Sequence, residues 1–313
     1  MSSHPFPESI GHPEVARRLG ADPGRLGYRQ LARGVTHDTL IVAVDGEPRA
    51  VLRLAPPRAE VLPRLRPDEE GRLFELLAGS GLPVPEALIV DADGSRLGGP
   101  GLLMSYLDGA NTLTWEHMRE RGGDGVREHA LATLVALHEL APPPGWPEAD
   151  TPQTHVAREL AGSYRLAEEA GAQAPPGLRP ALDRLAASPP APSGPPCIVH
   201  GDYRPANLMA AGGRVTGILD WEMASTGDPA CDFGVSTMRE WGVWLPDGEL
   251  LARYREARGV EVPLVSLRWW RALGYGKVVA FLAARHADGW DDGPAIAPWS
   301  ESLDRACAEW AKP

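Results

Sequence analysis

A chain of 313 residues with 43% hydrophobic content is long enough for one large or two medium domains, each with a packed core. Its 42 acidic residues outnumber 31 basic ones, for a formal net charge of −11. That excludes a basic nucleic-acid-binding stripe, and it suits a cationic ligand as well as plain solubility. No run reaches the roughly 18 apolar residues of a membrane span, Met1–Glu14 lacks the basic start and apolar core of a secretory signal, and Cys197, Cys231 and Cys307 fall in no metal-binding spacing, so free thiols in the cytoplasm are expected.

In chain order, residues 12–20 suggest a short helix ending at Gly20. Residues 28–32 and 39–44 suggest strands on either side of the turn Gly34-Val35-Thr36-His37-Asp38, and Asp45-Gly46 signals a tight hairpin into a third strand over 50–54. Pro56-Pro57 stops that strand. Leu73, Leu76 and Leu77 give helical spacing to residues 64–78, with Gly79 at the end. Residues 86–91 and 101–106 form a second hairpin around Asp93-Gly94. The first 106 residues therefore predict a small sheet with one inserted helix, and 107–313 a second, mainly helical domain. Helices are expected over 114–121, 125–140, 154–170 and 177–187. After a Pro-rich linker come two short strands, 197–199 and 215–219, then mostly helix from Ala230. Seven of the ten tryptophans lie beyond residue 240.

The two short strands deliver the residues with chemical potential. His200-Gly201-Asp202-Tyr203-Arg204-Pro205-Ala206-Asn207 follows the first, and Asp220 ends the second. A carboxylate that orients a hydroxyl and takes its proton, an amide oxygen and a second carboxylate are what phosphoryl transfer requires of a protein. Taken singly, Asp202 reads as a turn former, Asn207 as a loop residue and Asp220 as a strand-end cap.

These residues carry a family resemblance. HGDYRPANL resembles the HGDxxxxN catalytic loop of the aminoglycoside phosphotransferase and choline kinase superfamily, whose fold is like that of protein kinases. ILDWE, followed by Gly227-Asp228-Pro229-x2-Asp232, resembles that family's metal-binding segment. The resemblance covers nearly the whole chain and implies an α+β fold with two lobes, a small antiparallel-sheet N-terminal lobe and a mainly helical C-terminal lobe. It implies transfer of the γ-phosphoryl of ATP or GTP to a hydroxyl, with Asp202 as base and with Asn207 and Asp220 ligating Mg²⁺. His200 supports the loop. Asp228 and Asp232 brace it from behind or cap the helix near Ala230. Arg204 reaches a phosphate, braces an acid or faces solvent. His138 reads as packed core, and Glu222 as a surface residue beside the metal.

Arg53 stands where kinase-like folds carry a lysine, and Lys277 and Lys312 are the only lysines in the chain. Arg53 is expected to take over by pairing with Glu70, or else Glu69, and with the nucleotide phosphates. The turn bearing Thr36 is placed to cover those phosphates. Met104-Ser105-Tyr106-Leu107 corresponds to the hinge that reads the purine. Asp288, Trp290, Asp291 and Trp241 are candidates for the acceptor wall, with the loop Trp146–Asp150 beside them. VLRLAPPRAEVLPRLR resembles macrolide kinases, and LDWEMASTGDPACDFG resembles the branch associated with acyl-CoA dehydrogenases. The expected partners are a nucleotide and a small hydroxylated acceptor, an antibiotic first. A kinase for choline, a sugar or an amino alcohol is the alternative, and a non-catalytic nucleotide-binding protein is the reading from outside enzymes. Oligomeric state does not follow from the sequence.

Overall fold

A computed structural model describes residues 12–33, 38–55, 65–142 and 151–312. The turn holding Thr36 and the loop Trp146–Asp150 lie outside the described residues. The chain divides into two compact units, one of Met1–Gly109 with Thr216–Glu222, the other of Ala110–Val215 with Met223–Pro313. The fold is α+β.

The first unit opens with helix α1 (His12–Leu19) and builds a five-stranded antiparallel sheet in the order β1-β2-β3-β5-β4. Its strands are β1 (Leu26–Arg33), β2 (Asp38–Val44), β3 (Glu47–Leu54), β4 (Ala87–Asp91) and β5 (Gly101–Ser105). Val44 pairs with Glu47 across a two-residue turn. Asp45 and Gly46 both have positive φ, 53° and 87°, which matches the primed turn that follows strand twist. Ala50, Leu52 and Leu54 alternate into a core with Val15, Leu40, Val42, Ile89, Leu97 and Leu103. Strand alternation puts Arg53 on the opposite face, where helix α2 (Pro67–Ala78) brings Glu70 against it. The β4–β5 connection is knotted around Asp91, whose carboxylate accepts from the amides of Gly94, Arg96 and Leu97. Gly79 ends α2 in a right-handed conformation (φ −82°) and Gly81 (φ +79°) makes the left-handed step, two residues later than a glycine stop would place it.

The second unit contains helices α3 (Trp115–Gly122), α4 (Val126–Glu139), α5 (Pro152–Ala170), α6 (Leu178–Ala187), α7 (Ala230–Ser236), α8 (Asp247–Arg258), α9 (Leu264–Ala287) and α10 (Gly293–Trp310). The 24-residue α9 is the hub against which α5, α6, α7 and α10 pack. Trp269 and Tyr275 are fully buried on it. The two short strands that flank the candidate motif each pair elsewhere. Strand β6 (Cys197–Val199) pairs antiparallel with β9 (Ser225–Gly227). Strand β8 (Arg214–Ile218) forms a hairpin with β7 (Leu208–Ala211). The reason is the pair Gly212-Gly213, with φ of 58° and 77°, which turns the chain back immediately after β7. Among the described residues no helix is long and apolar enough to cross a membrane, and the three cysteines are free and buried.

Candidate active site

The loop after β6 is held from behind by one buried carboxylate. Asp232, in the first turn of α7, accepts from the backbone amides of His200 and Gly201 through different oxygens, both at 2.8 Å. It also pairs at 3.1 Å with Nε2 of His138, whose Nδ1 meets the Tyr254 hydroxyl at 2.9 Å. Burial pushes the Asp232 carboxyl up, but its bonds to His138 and to the loop hold it below the ordinary carboxylate range. His138 is therefore core, as expected, and it is also the first link of the loop's support. Asp228 accepts from the amides of Ser193 and Ala230, so from one residue before the N-cap Pro229 it takes up the first amide of α7 and ties the preceding linker at once. The Asp202 amide donates to His200 Nδ1 at 3.2 Å, which puts the proton of a neutral His200 on Nε2.

This scaffold presents Asp202 with its side chain about a quarter exposed. Asn207 Nδ2 donates to the Asp202 carbonyl (2.9 Å) and to its Oδ2 (2.7 Å). Arg204 Nε donates to both carboxylate oxygens, at 2.9 and 3.0 Å. The left-handed turn at Gly201 (φ +78°) makes this possible, and a Cβ there would lie 2.5 Å from the Met223 carbonyl oxygen. Gly201→Ala is expected to destabilise the protein by about 2–3 kcal/mol through strain and the forced contact and to displace Asp202. Thermal denaturation with a turnover assay checks this, and an unchanged melting temperature would count against it.

In the first unit the site residues converge on Arg53. Its Nη1 donates to Glu70 Oε1 at 2.9 Å, and its Nη2 donates to Glu222 Oε2 (2.9 Å) and Asp220 Oδ1 (3.1 Å). Glu69 turns instead to Arg66 at the start of α2. Burial disfavours the Arg53 charge, but the carboxylates of Glu70, Asp220 and Glu222 outweigh it and raise its pKa. Glu222 is buried at 5% exposure, which corrects its reading as a surface residue. The cause is the tight turn after β8. Asp220 adopts φ +66°, the Trp221 indole folds back to donate to the Ile218 carbonyl, and the next side chain is turned inward onto Arg53. Asp220 itself stays accessible, its side chain 39% exposed. In the hinge segment, Met104 is buried, the Ser105 amide donates to the Glu86 carbonyl and the Tyr106 amide to that of Arg49, and Leu107 is half-buried. Those two amides are thus committed to the sheet.

Each unit offers one hard oxygen donor of the kind that suits Mg²⁺. This ion takes hard oxygen ligands, often only one or two from protein, and keeps water and phosphate oxygens for the rest. With its NH₂ committed to Asp202, Asn207 has its amide oxygen to offer, and Asp220 offers a half-exposed carboxylate. Among the described residues no group of three or more His, Cys, Asp or Glu side chains forms a metal cluster.

Asp288, Trp290 and Asp291 follow one another at the end of α9, and Trp241 stands in the short helical turn Arg239–Trp241. Asp288 ends α9 and Asp291 is exposed beyond it. Arg285 lies over the Trp290 ring at 4.4 Å and pairs with Asp292 at 2.6 Å, so this acidic turn is partly neutralised by its own helix. The Trp241 ring already carries Arg204 at 4.7 Å.

A buried pair that no local spacing announces joins Glu159 on α5 to Lys277 on α9, whose ammonium donates to Glu159 Oε2. Burial pushes the Glu159 carboxyl up, but the Lys277 ammonium, with His155 and Arg158, holds it down at about 2. Lys277 also lies within electrostatic reach of Asp202. A carboxyl depressed in the folded state stabilises fully above its ordinary range and loses that contribution as pH falls towards its folded value. Wild-type stability is therefore expected to drop by a few kcal/mol between about pH 4.5 and pH 2 through this group. Glu159→Gln should be less stable at neutral pH and flatter across that window in urea titrations. A parallel pair of curves would overturn the assignment. A lone lysine in the middle of an apolar helix was the one clue available in the sequence.

The sequence profile described as "Phosphotransferase enzyme family" matches residues 27–273. The chain is 24% identical over 281 residues to acyl-CoA dehydrogenase family member 11 of Gallus gallus, an alignment covering 82% of this chain and 36% of that one. It thus spans about a third of that relative's length. Among solved structures, a candidate aminoglycoside phosphotransferase from Ralstonia eutropha is similar with a TM-score of 0.73 and 20% identity, covering 95% of this chain and 98% of that one. The choline kinase LicA of Streptococcus pneumoniae gives 0.66 and 17%, with 91% and 94% covered. At those identities the likeness is one of fold, with a kinase-like antiparallel sheet followed by a helical part. The profile match spans well over half of the chain, and the chain belongs to the phosphotransferase enzyme family.

Proposed function

We propose that this protein transfers the γ-phosphoryl group of a Mg²⁺-bound nucleoside triphosphate, ATP or GTP, to a hydroxyl of a small molecule. The observation that carries the reading is the Asp202 carboxylate, part-exposed on a loop whose backbone is fixed by Asp232 and whose oxygens are oriented by Asn207 and Arg204. Asp202 aligns the acceptor hydroxyl and takes its proton as the P–O bond forms. Because the transition state is loose, alignment outweighs proton transfer. Asn207 and Asp220 are the oxygen donors for Mg²⁺, which when bound neutralises charge on the phosphates. Arg53 keeps Asp220 oriented and takes the place of the usual lysine. Residues 1–106 act as the nucleotide-binding part, with Thr36 and the Met104–Leu107 hinge, and 107–313 as the catalytic and acceptor part. The expected setting is the cytoplasm, which suits three buried free thiols.

The acceptor proposed first is a hydroxylated antibiotic, and the second is choline, a sugar or an amino alcohol. A panel of both classes, incubated with MgATP and with MgGTP, should yield one acceptor whose mass rises by one phosphate. Failure of every acceptor, together with no Mg²⁺-dependent loss of nucleotide, would leave a nucleotide-binding protein without transferase activity and overturn the proposal.

A further inference from the structure

Arg204 is more than a neighbour of Asp202. Its Nε hydrogen is shared between both carboxylate oxygens, and the same guanidinium lies over the indole of Trp241, 4.7 Å from the ring centroid. Trp241 is packed in turn against Trp299 of α10, with ring centroids 5.9 Å apart, and Trp299 against Tyr275 of α9 at 5.8 Å. The segment Arg239–Trp241 is pinned at its other side. Tyr275 donates to Glu240 at 2.6 Å and receives the Arg239 amide at 2.9 Å, and Ser302 donates to the other Glu240 oxygen at 2.8 Å.

We propose that Arg204 and Trp241 form a positioning latch that fixes the rotamer of Asp202, so that the α9–α10 packing sets where the base points. Arg204 has several rotatable bonds, and a part-buried arginine–aspartate pair two residues apart still loses side-chain freedom when it forms. A guanidinium held flat on an indole loses that freedom in advance. Its single Nε–H then defines a direction for both carboxylate oxygens, and Oδ1, which Asn207 leaves alone, keeps a lone pair for an acceptor hydroxyl. Trp241 thereby acts through Arg204 and makes no claim on the acceptor itself. A misplacement of about 1 Å at a base of this kind costs on the order of 10²-fold in rate, whereas ground-state binding of nucleotide does not involve it.

The latch rests on the proposed phosphotransferase activity only for its kinetic consequence, so two measurements on the full-length protein separate them. The first needs no turnover. In ¹H–¹⁵N spectra of arginine side chains, the Arg204 Nε–H, identified by its loss in Arg204→Lys, should be protected from solvent exchange. Protection should be reduced in Asp202→Asn and in Trp241→Ala. A rapidly exchanging Nε–H in the wild type overturns the latch. The second is kinetic, with MgATP and the acceptor found by the screen. Arg204→Ala should lower kcat about 10²-fold with the nucleotide KM little changed. Trp241→Ala should lower kcat roughly three- to thirtyfold, and Trp241→Phe, which keeps an aromatic face, should recover most of that loss. Equal kcat for Arg204→Ala and wild type, or equal losses in Trp241→Ala and Trp241→Phe, would overturn the positioning role. An inactive wild type would instead overturn the proposed function, with the exchange measurement still deciding the latch.

Discussion

Asp202→Asn is expected to reduce kcat by roughly 10³-fold or more while the dissociation constant for Mg-nucleotide stays within about twofold. The amide is nearly the same size as the carboxylate, so packing is conserved. What changes is the hydrogen-bond chemistry. Both oxygens of Asp202 accept in the wild type, from Arg204 Nε and from Asn207 Nδ2. An asparagine offers one acceptor and one donor group, so its NH₂ must face one of those donors or swing away from them. The substitution therefore removes the proton acceptor and disturbs the orientation of the residue next to it. The loop backbone should survive, because its anchors to Asp232 are made by His200 and Gly201 amides, which the substitution does not touch. Steady-state kinetics and nucleotide titration on the same preparation check the split. Near wild-type turnover in Asp202→Asn would remove Asp202 from the chemistry.

Arg53→Ala is expected to be the most damaging single change in the first unit, lowering stability by about 3–5 kcal/mol and the melting temperature by about 10 °C. One guanidinium serves three carboxylates there, and two of them, Glu70 and Glu222, are nearly inaccessible to water. Removing the cation leaves the carboxylates of α2 and of the turn after β8 facing one another, with repulsion and desolvation both uncompensated. The KM for Mg-nucleotide should also rise more than tenfold, because Asp220 loses the contact that orients it. Arg53→Lys should recover less than half of the lost stability. An ammonium is a single point charge, and it cannot reproduce a fork that donates along separate directions to Glu70, Glu222 and Asp220. Denaturant titration of the three proteins distinguishes this from a merely exposed arginine, for which all three curves would coincide.

Much of this was legible in the chain itself. Alternating apolar residues in β2 and β3, the Asp45-Gly46 turn and the helix ending near Gly79 are local signals, and local signals survive folding. The candidate loop stands out because its spacing is short. What could not be read was set by distant partners. Glu222 looks like any acid next to an exposed strand end until the left-handed backbone of Asp220 turns it onto Arg53, 169 positions away. The pairing of β6 with β9 depends on a three-residue strand too short to show periodicity. Glu159 and Lys277 are joined by the packing of α5 on α9, which no window of sequence contains. Trp241 reads in the sequence only as one aromatic candidate for the acceptor wall, and its partnership with Arg204 was not legible.

The interleaving of the chain through its two units has a consequence for how the protein is made. The first unit takes Thr216–Glu222 as part of its own body, and that short segment supplies two of the three carboxylates that Arg53 holds. A ribosome that has finished Gly109 has therefore not finished the first unit. More than a hundred further residues must emerge, which at about 5–20 residues per second takes on the order of ten seconds. During that interval Glu70 is the one of the three described carboxylates already made with the first unit. The nascent chain cannot complete its parts one after the other. The first unit must wait, half-built, until Thr216–Glu222 has left the ribosome.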